Sequence, residues 1–543
     1  MASDAAGLSV LLGRRAGQCV LSHTEALADT VLPMRFPLLS HHLALAAVLC
    51  VSASCIAQEH GDEPPQGTAP ATAKDATKDA KDKPSFPPLP ADAHVEQSIT
   101  VDGKPLKYTV TVGTLPVRNA DGKVAGQVVF TAYTVPGADR PVTFALNGGP
   151  GAASVYLNFG AIGPKRVPFG EDNSSPSDTP TLVDNPGTWL DFTDLVFIDP
   201  IGTGFSRAEV PEAEAKKLFY APTADVNYLS RIIYDWLLKN GRMMSRKYLI
   251  GESYGGFRGP RITRYLQTQL GVGLNGVVLV SPYLNPSITD NGDLSPLPWI
   301  VTMPSMAAAN LERQGKLTPA TMKDVIDYAE GEYATDLIRG SSDPGTKDRM
   351  VAKVTQLTGL DPDFVRAEGG RIEPDVFLRE VHRKEGKLGS VYDSNVTALD
   401  PFPYNRDQKT GDPILDTIIA PLTQSMVNFV TQTVGWKVDA RYNALSYDVG
   451  RMWDRSGRDE RSGSGTQLRQ AVAADPKLHI LIAHGWNDLS CPFMGSIVTV
   501  NQIPQATAQR ILIHEYPGGH MFYTRSGSQK SLKQDARELF TSH

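Results

Sequence analysis

The hydrophobic rhythm of the chain changes twice, and each change predicts a different kind of structure. From Val95 onward apolar and polar residues alternate, as in Leu106-Lys107-Tyr108-Thr109-Val110-Thr111-Val112. This period of two predicts antiparallel strands, and Asp121-Gly122 supplies the turn of a hairpin. After Arg140 the alternation gives way to short, wholly apolar runs: Val142 to Leu146, Leu195 to Ile198, Tyr248 to Ile250, Val277 to Val280, Leu478 to Ile482 and Ile511 to Ile513. Such runs, separated by longer stretches, predict buried parallel strands joined by crossover helices. Between the second and third runs, Val226, Leu229, Ile232, Ile233, Trp236 and Leu237 share one side of a helix. From about 285 to 475 helix-like stretches, among them Pro319 to Glu330 and Asp348 to Leu357, interrupt the pattern. The fold class is therefore α/β: a central, mostly parallel sheet with helices on both faces and a large inserted lid.

Upstream of Val95 the rhythm disappears. Residues 58–93 are rich in Pro, Ala, Thr, Lys and Asp, including the run from Lys74 to Lys83, and predict a disordered tether. Before that, Met34-Arg35, the apolar run Leu43 to Val51 and the small residues Ser52 to Ala57 have the layout of a secretory signal. Cleavage after Ala57 would start the mature chain at Gln58, and a signal beginning at Met34 implies that residues 1–33 are not normally made. The apolar run is too short for a permanent membrane span. A lipid-modified Cys55 is disfavoured by Ser52, which stands where such signals carry a large aliphatic residue. The expected location is secreted or periplasmic, with residues 94–543 as one elaborated domain.

Composition narrows the class only slightly. Of 543 residues, 41% are hydrophobic and 21% charged, enough apolar material for a sizeable core. A net charge of -6 leaves no basic excess for phosphates, so nucleic acid is excluded as an expected partner. Of the cysteines Cys19, Cys50, Cys55 and Cys491, three precede the cleavage point, so a mature chain has no intramolecular disulfide and depends on its core.

The chemistry is concentrated in a few loops. Gly251-Glu252-Ser253-Tyr254-Gly255 follows a predicted strand and precedes a predicted helix, which is the setting of a nucleophile elbow. A serine hydroxyl needs a base and an acid that orients it. Asp488, after the strand Leu478 to Ile482, and His520, after the strand Ile511 to Ile513, appear in the Ser, Asp, His order of an α/β-hydrolase. His484 and His514 are rival bases placed less well, and the six-residue spacing of His514 and His520 does not suit a metalloprotease site; no metal or cofactor is expected. Oxyanion donors are expected from the backbone N–H of Tyr254 and of Gly149, in Asn147-Gly148-Gly149-Pro150-Gly151.

These motifs, with Gly163-Pro164, Ile198-Asp199-Pro200-Ile201-Gly202-Thr203-Gly204-Phe205-Ser206, Gly485-Trp486-Asn487-Asp488 and Gly519-His520-Met521, make the chain resemble the serine carboxypeptidase family. The resemblance runs from about Val95 to the C-terminus. It implies an α/β-hydrolase that removes C-terminal residues from a peptide substrate through an acyl-enzyme, with Ser253, Asp488 and His520 as triad. It further implies that Asn147, Gly148 and Glu252 bind the substrate's terminal carboxylate. The family's second glutamate is missing: its position holds Ala161. Two close carboxyls share a proton and so bind a carboxylate at acid pH; with Ala161, weaker carboxylate recognition or a less acidic working range is expected. Ala152 likewise stands where many relatives carry cysteine. An esterase, amidase or acyltransferase on the same triad is the nearest alternative, and an inactive binding protein the alternative of another class. Oligomeric state and side-chain preference are not legible, and the sequons at Asn173 and Asn395 have meaning only in a glycosylating host.

Overall fold

Wholly apolar strands are stable only when both faces are covered, and the backbone arranges the six runs side by side to achieve this. The computed structural model describes residues 86–137, 139–168, 175–177, 179–289, 294–340, 342–405, 411–457 and 462–541. The signal-like segment with Cys19, Cys50 and Cys55, the tether up to residue 85 and the sequon at Asn173-Ser174 lie outside them.

The long strands are β1 (Ala93–Val101), β2 (Lys104–Arg118), β3 (Val124–Thr134), β4 (Val142–Leu146), β5 (Asp194–Ile198), β6 (Lys247–Glu252), β7 (Gly276–Val280), β8 (His479–Gly485) and β9 (Ile511–Tyr516). They stand in the order β1-β2-β3-β5-β4-β6-β7-β8-β9, and the short strand Arg207–Ala208 pairs with β3. The first three run antiparallel, with the predicted Asp121-Gly122 turn between β2 and β3. From β5 to β9 every pairing is parallel.

Alternate side chains of these strands point to opposite faces. Ala145, Phe197, Ile250, Val278 and Leu481 join one core, with Leu532, Ala536 and Leu539 of the C-terminal helix Ser526–Thr541. Their neighbours Phe144, Val196, Leu249, Val277 and Ile480 join the other. There α1 (Pro222–Lys239) buries all six residues of its predicted apolar side, and α2 (Tyr254–Tyr265) adds Phe257 and Ile262.

Between β7 and β8 comes the predicted insertion, which has its own core. Its helix α3 (Leu297–Arg313) contributes Trp299, Met303 and Met306, packed with Met322, Val354 and Phe377. The same cluster takes in Trp486, Leu489, Phe493 and Met494 from just beyond β8, so the insertion is fused to the loop that carries Asp488.

One boundary differs from expectation. Residues 86–92, assigned by composition to the tether, lie against the domain: Leu89 packs on the core, and Asp92 pairs with Lys239 Nζ at 2.6 Å and accepts the Thr114 N–H. A composition averaged over 58–93 does not register that one leucine and one well-placed carboxylate anchor the last few residues.

The two helices flanking the elbow are held together by charge. Arg258 of α2 donates to Asp225 of α1 at 2.5 and 3.2 Å, both side chains being 1% exposed, and its remaining nitrogen donates to the Asn147 carbonyl at 2.7 Å. Breaking such a pair strands a charge without solvent. Asp225→Ala is therefore expected to lower the unfolding free energy by roughly 3–5 kcal/mol in a denaturant titration.

Candidate active site

Strand β6 delivers Ser253 at the sheet's C-terminal edge, and the next residue begins α2. The turn between them forces Ser253 to φ 59°, a left-handed value that costs a non-glycine residue about 1–3 kcal/mol. Backbone bonds hold it there: Ser253 N–H donates to the Val280 carbonyl at 2.9 Å, and its carbonyl accepts from Gly256 at 2.8 Å and Tyr283 at 3.1 Å. The flanking glycines are required by proximity. A Cβ on Gly255 would lie 2.3 Å from the Leu146 carbonyl oxygen, and one on Gly148 would lie 2.4 Å from the Tyr254 nitrogen. The loop after β4 thus runs directly over the start of α2, which brings Gly149 and Tyr254, the expected oxyanion donors, to the same end of the sheet.

Loops after β8 and β9 bring Asp488 and His520 together. His520 Nδ1 is 2.8 Å from Asp488 Oδ2, and both side chains are buried. The other carboxylate oxygen of Asp488 accepts the N–H groups of Ser490 and Cys491 at 2.9 and 2.8 Å. Burial disfavours the imidazolium, but the Asp488 charge outweighs it and holds His520 well above the ordinary histidine range. His520 is fixed through its backbone as well: its N–H donates to the Tyr392 carbonyl and its carbonyl accepts from Ser281 Oγ at 2.8 Å. The free, buried Cys491 thiol also hydrogen-bonds the imidazole.

The expected carboxylate readers form a second cluster. Asn147 Nδ2 donates to Glu252 Oε2 at 2.7 Å, while Asn147 Oδ1 accepts the Leu157 N–H at 2.9 Å. Burial pushes the Glu252 carboxyl up to about 7, against the opposing pull of His520, Tyr523 and Asn147. Ala161, where the second glutamate would stand, is buried in the π-turn Leu157–Ile162. Sequence reasoning missed Tyr523, whose hydroxyl lies 2.9 Å from both Glu252 oxygens. Its only signal was its place three residues beyond His520.

The remaining candidates fall elsewhere. His484 is buried against Ser496 Oγ at 2.8 Å, and burial lowers it to about 3, so it stays neutral. His514 lies within β9 and pairs with Asp535 at 3.0 Å. Among the described residues no His, Cys, Asp or Glu cluster is arranged to hold a metal ion, and no helix is long and apolar enough to cross a membrane.

A polar network that sequence reasoning also missed ties the insertion to both loops. Arg525, five residues past His520, pairs with Glu312 of α3 at 2.5 Å and with Asp393 at 2.7 Å. Glu312 also accepts from Asn487 and Asn395 at 2.5 and 2.7 Å. Residues from the insertion then cross the loops: Val391 accepts from Leu489 and Ser490, and Asn443, Ala444 and Ser446 bond to Gly204, Ala153 and Gly151.

The stretch that resembles a known family takes in Asn147 and Ser253 but stops before Asp488 and His520. Residues 111–347 match the family model described as serine carboxypeptidase. Over those residues the chain is similar to the serine carboxypeptidases. Among curated relatives, Serine carboxypeptidase-like 50 of Arabidopsis thaliana is 34% identical over 158 residues, 28% of this chain and 33% of that protein. Pheromone-processing carboxypeptidase kex1 of Talaromyces stipitatus is 27% identical over 261 residues, 47% of this chain and 37% of that protein. These serine carboxypeptidase alignments thus span about a third of the relatives' own length. The crystal structure of the prohormone-processing carboxypeptidase Kex1(delta)p from Saccharomyces cerevisiae superposes with a TM-score of 0.51 at 15% identity, covering 80% of this chain and 91% of that one, and so shares the α/β-hydrolase fold.

Arg525→Met leaves Glu312 and Asp393 facing each other without their cation, and is expected to cost roughly 2–4 kcal/mol in a denaturant titration. Adding Glu312→Leu is expected to restore part of that loss, and additive losses in the double-mutant cycle would contradict the coupling.

Proposed function

We propose that the protein is an exported serine carboxypeptidase that shortens peptides from the C-terminus through an acyl-enzyme. The observation that carries this reading is the juxtaposition of Glu252 and Ser253. A buried carboxyl poised to be neutral, bonded to Asn147, adjoins a serine at a nucleophile elbow. A neutral carboxyl donates a hydrogen bond to a substrate carboxylate, and an ionised one repels it. That favours a substrate whose chain ends beside the serine.

In the proposed cycle Ser253 Oγ attacks the last peptide carbonyl while His520 takes the hydroxyl proton. Asp488 keeps the imidazole oriented and stabilises the imidazolium. The oxyanion is held by the N–H groups of Gly149 and Tyr254, the latter at the N-terminus of α2. Collapse breaks the C–N bond, His520 returns its proton to the departing amine, and water then hydrolyses the acyl-enzyme by the same route. Asn147, Gly148 and Glu252 hold the terminal carboxylate, and the insertion serves as the lid. Export rests on the signal-like pattern from Met34 to Ala57.

Ser253→Ala is expected to abolish covalent labelling by a fluorophosphonate while the protein stays folded; a folded wild type that never labels is the outcome for a binding protein. Asp488→Asn is expected to lower kcat about 10⁴-fold, since the imidazole loses its orienting acceptor. His520 must be neutral to act as base, so kcat at saturating substrate is expected to fall as pH drops through its raised pKa and to be retained above it, whereas KM for a free peptide acid rises as Glu252 ionises. Digestion of a mixed peptide library, read by mass, is expected to give stepwise C-terminal shortening, with peptide amides resistant. Cleavage of simple esters without shortening would point to an esterase.

A further inference from the structure

The Ala161 position leaves the Glu252 carboxyl without a second acid, yet its oxygens are not left bare. We propose that Tyr523 is a positioning residue that replaces the second acidic group of the terminal-carboxylate subsite, so that recognition of a free C-terminus turns on the single proton of Glu252. This deepens the carboxypeptidase reading and rests on it.

The geometry is specific. Tyr523 is fully buried, and its oxygen sits astride the carboxylate at 2.9 Å from each Glu252 oxygen. It belongs to the turn Phe522–Thr524, which packs against the π-turn Leu157–Ile162 carrying Ala161. The phenol therefore approaches Glu252 from the loop that follows His520, which packs on the turn carrying Ala161 in place of an acid. A phenol O–H stays protonated across the neutral range, and here burial and the Glu252 charge push it further up. It donates and does not share the proton of a partner acid. Two coupled carboxyls would titrate in two macroscopic steps; one carboxyl beside a phenol titrates in one.

The groups that face Glu252 are few. Asn147 comes from the loop after β4, Tyr523 and His520 from the loop after β9, and Asp488 from the loop after β8; Tyr156 lies just before the π-turn. His520 and Asp488 also act in the chemical step. Their part in the chemical step cancels in the ratio of kcat/KM for a peptide free acid to that for its C-terminal amide, and their charge bears on Glu252 equally in the wild type and in a Tyr523 variant, so a shift of this ratio between the two reports the Tyr523 contact. The sign follows from the contact: the O–H favours the ionised carboxylate, so removing it makes Glu252 harder to ionise.

In the wild type the ratio is expected to be high at acid pH and to fall in one step, centred near the Glu252 value of about 7. In Tyr523→Phe the step is expected to move up by about one pH unit, with the change carried by KM of the free acid. Incorporating 3-fluorotyrosine at position 523 gives a stronger donor of nearly the same shape and is expected to move the step down, which decides the matter should the phenylalanine variant misfold. An unmoved step in a folded variant overturns the role of Tyr523 and leaves the carboxypeptidase reading intact. A wild type indifferent to the free carboxylate at every pH overturns both.

Discussion

Everything at this site depends on a backbone that turns too sharply for an ordinary residue. Ser253 is held at φ 59° between a sheet strand and a helix, and the strain is met by bonds from Val280, Gly256 and Tyr283. Because the turn is tight, the Asn147 loop can descend until Gly148 has no room for a side chain against Tyr254. The Arg258 guanidinium anchors that loop from below through the Asn147 carbonyl. Ser253, Gly149, Tyr254, Asn147 and Glu252 therefore form one mechanical unit, set by the packing of two glycine-bearing turns.

The insertion belongs to that unit. Backbone bonds from Val391 and Tyr392 reach the loops of Asp488 and His520, and Asn443, Ala444 and Ser446 brace the loops after β5 and β4. Arg525 closes the assembly by bridging the β9 loop to α3. An insertion bonded at so many points to the loops of Asp488 and His520 has little freedom to swing as a separate flap.

How much of this was legible in the chain varies with the kind of signal. The six apolar runs marked the parallel strands because both faces of such strands are buried, and the side of α1 was read from its spacing. Ser253, Asp488 and His520 could be singled out because motif and strand order are local signals, and the structure brings the last two together. Arg258, Arg525 and Tyr523 were not. Each acts through a partner distant in sequence, Asp225 or Asn147, Glu312 or Asp393, and Glu252, and no local pattern reports such a pairing. The tether boundary failed for a related reason, since Asp92 finds Lys239 only after folding.

The bond from Ser281 Oγ to the His520 carbonyl joins residues 239 positions apart, and Arg525 reaches Glu312 across 213. Ribosomal synthesis runs from the N-terminus, so the turn at Ser253 emerges long before His520 and its supports. No nascent chain that stops short of residue 525 contains the complete constellation. Ser281 and Glu312 therefore wait for partners that are made more than two hundred positions later, and the loops they brace close only then.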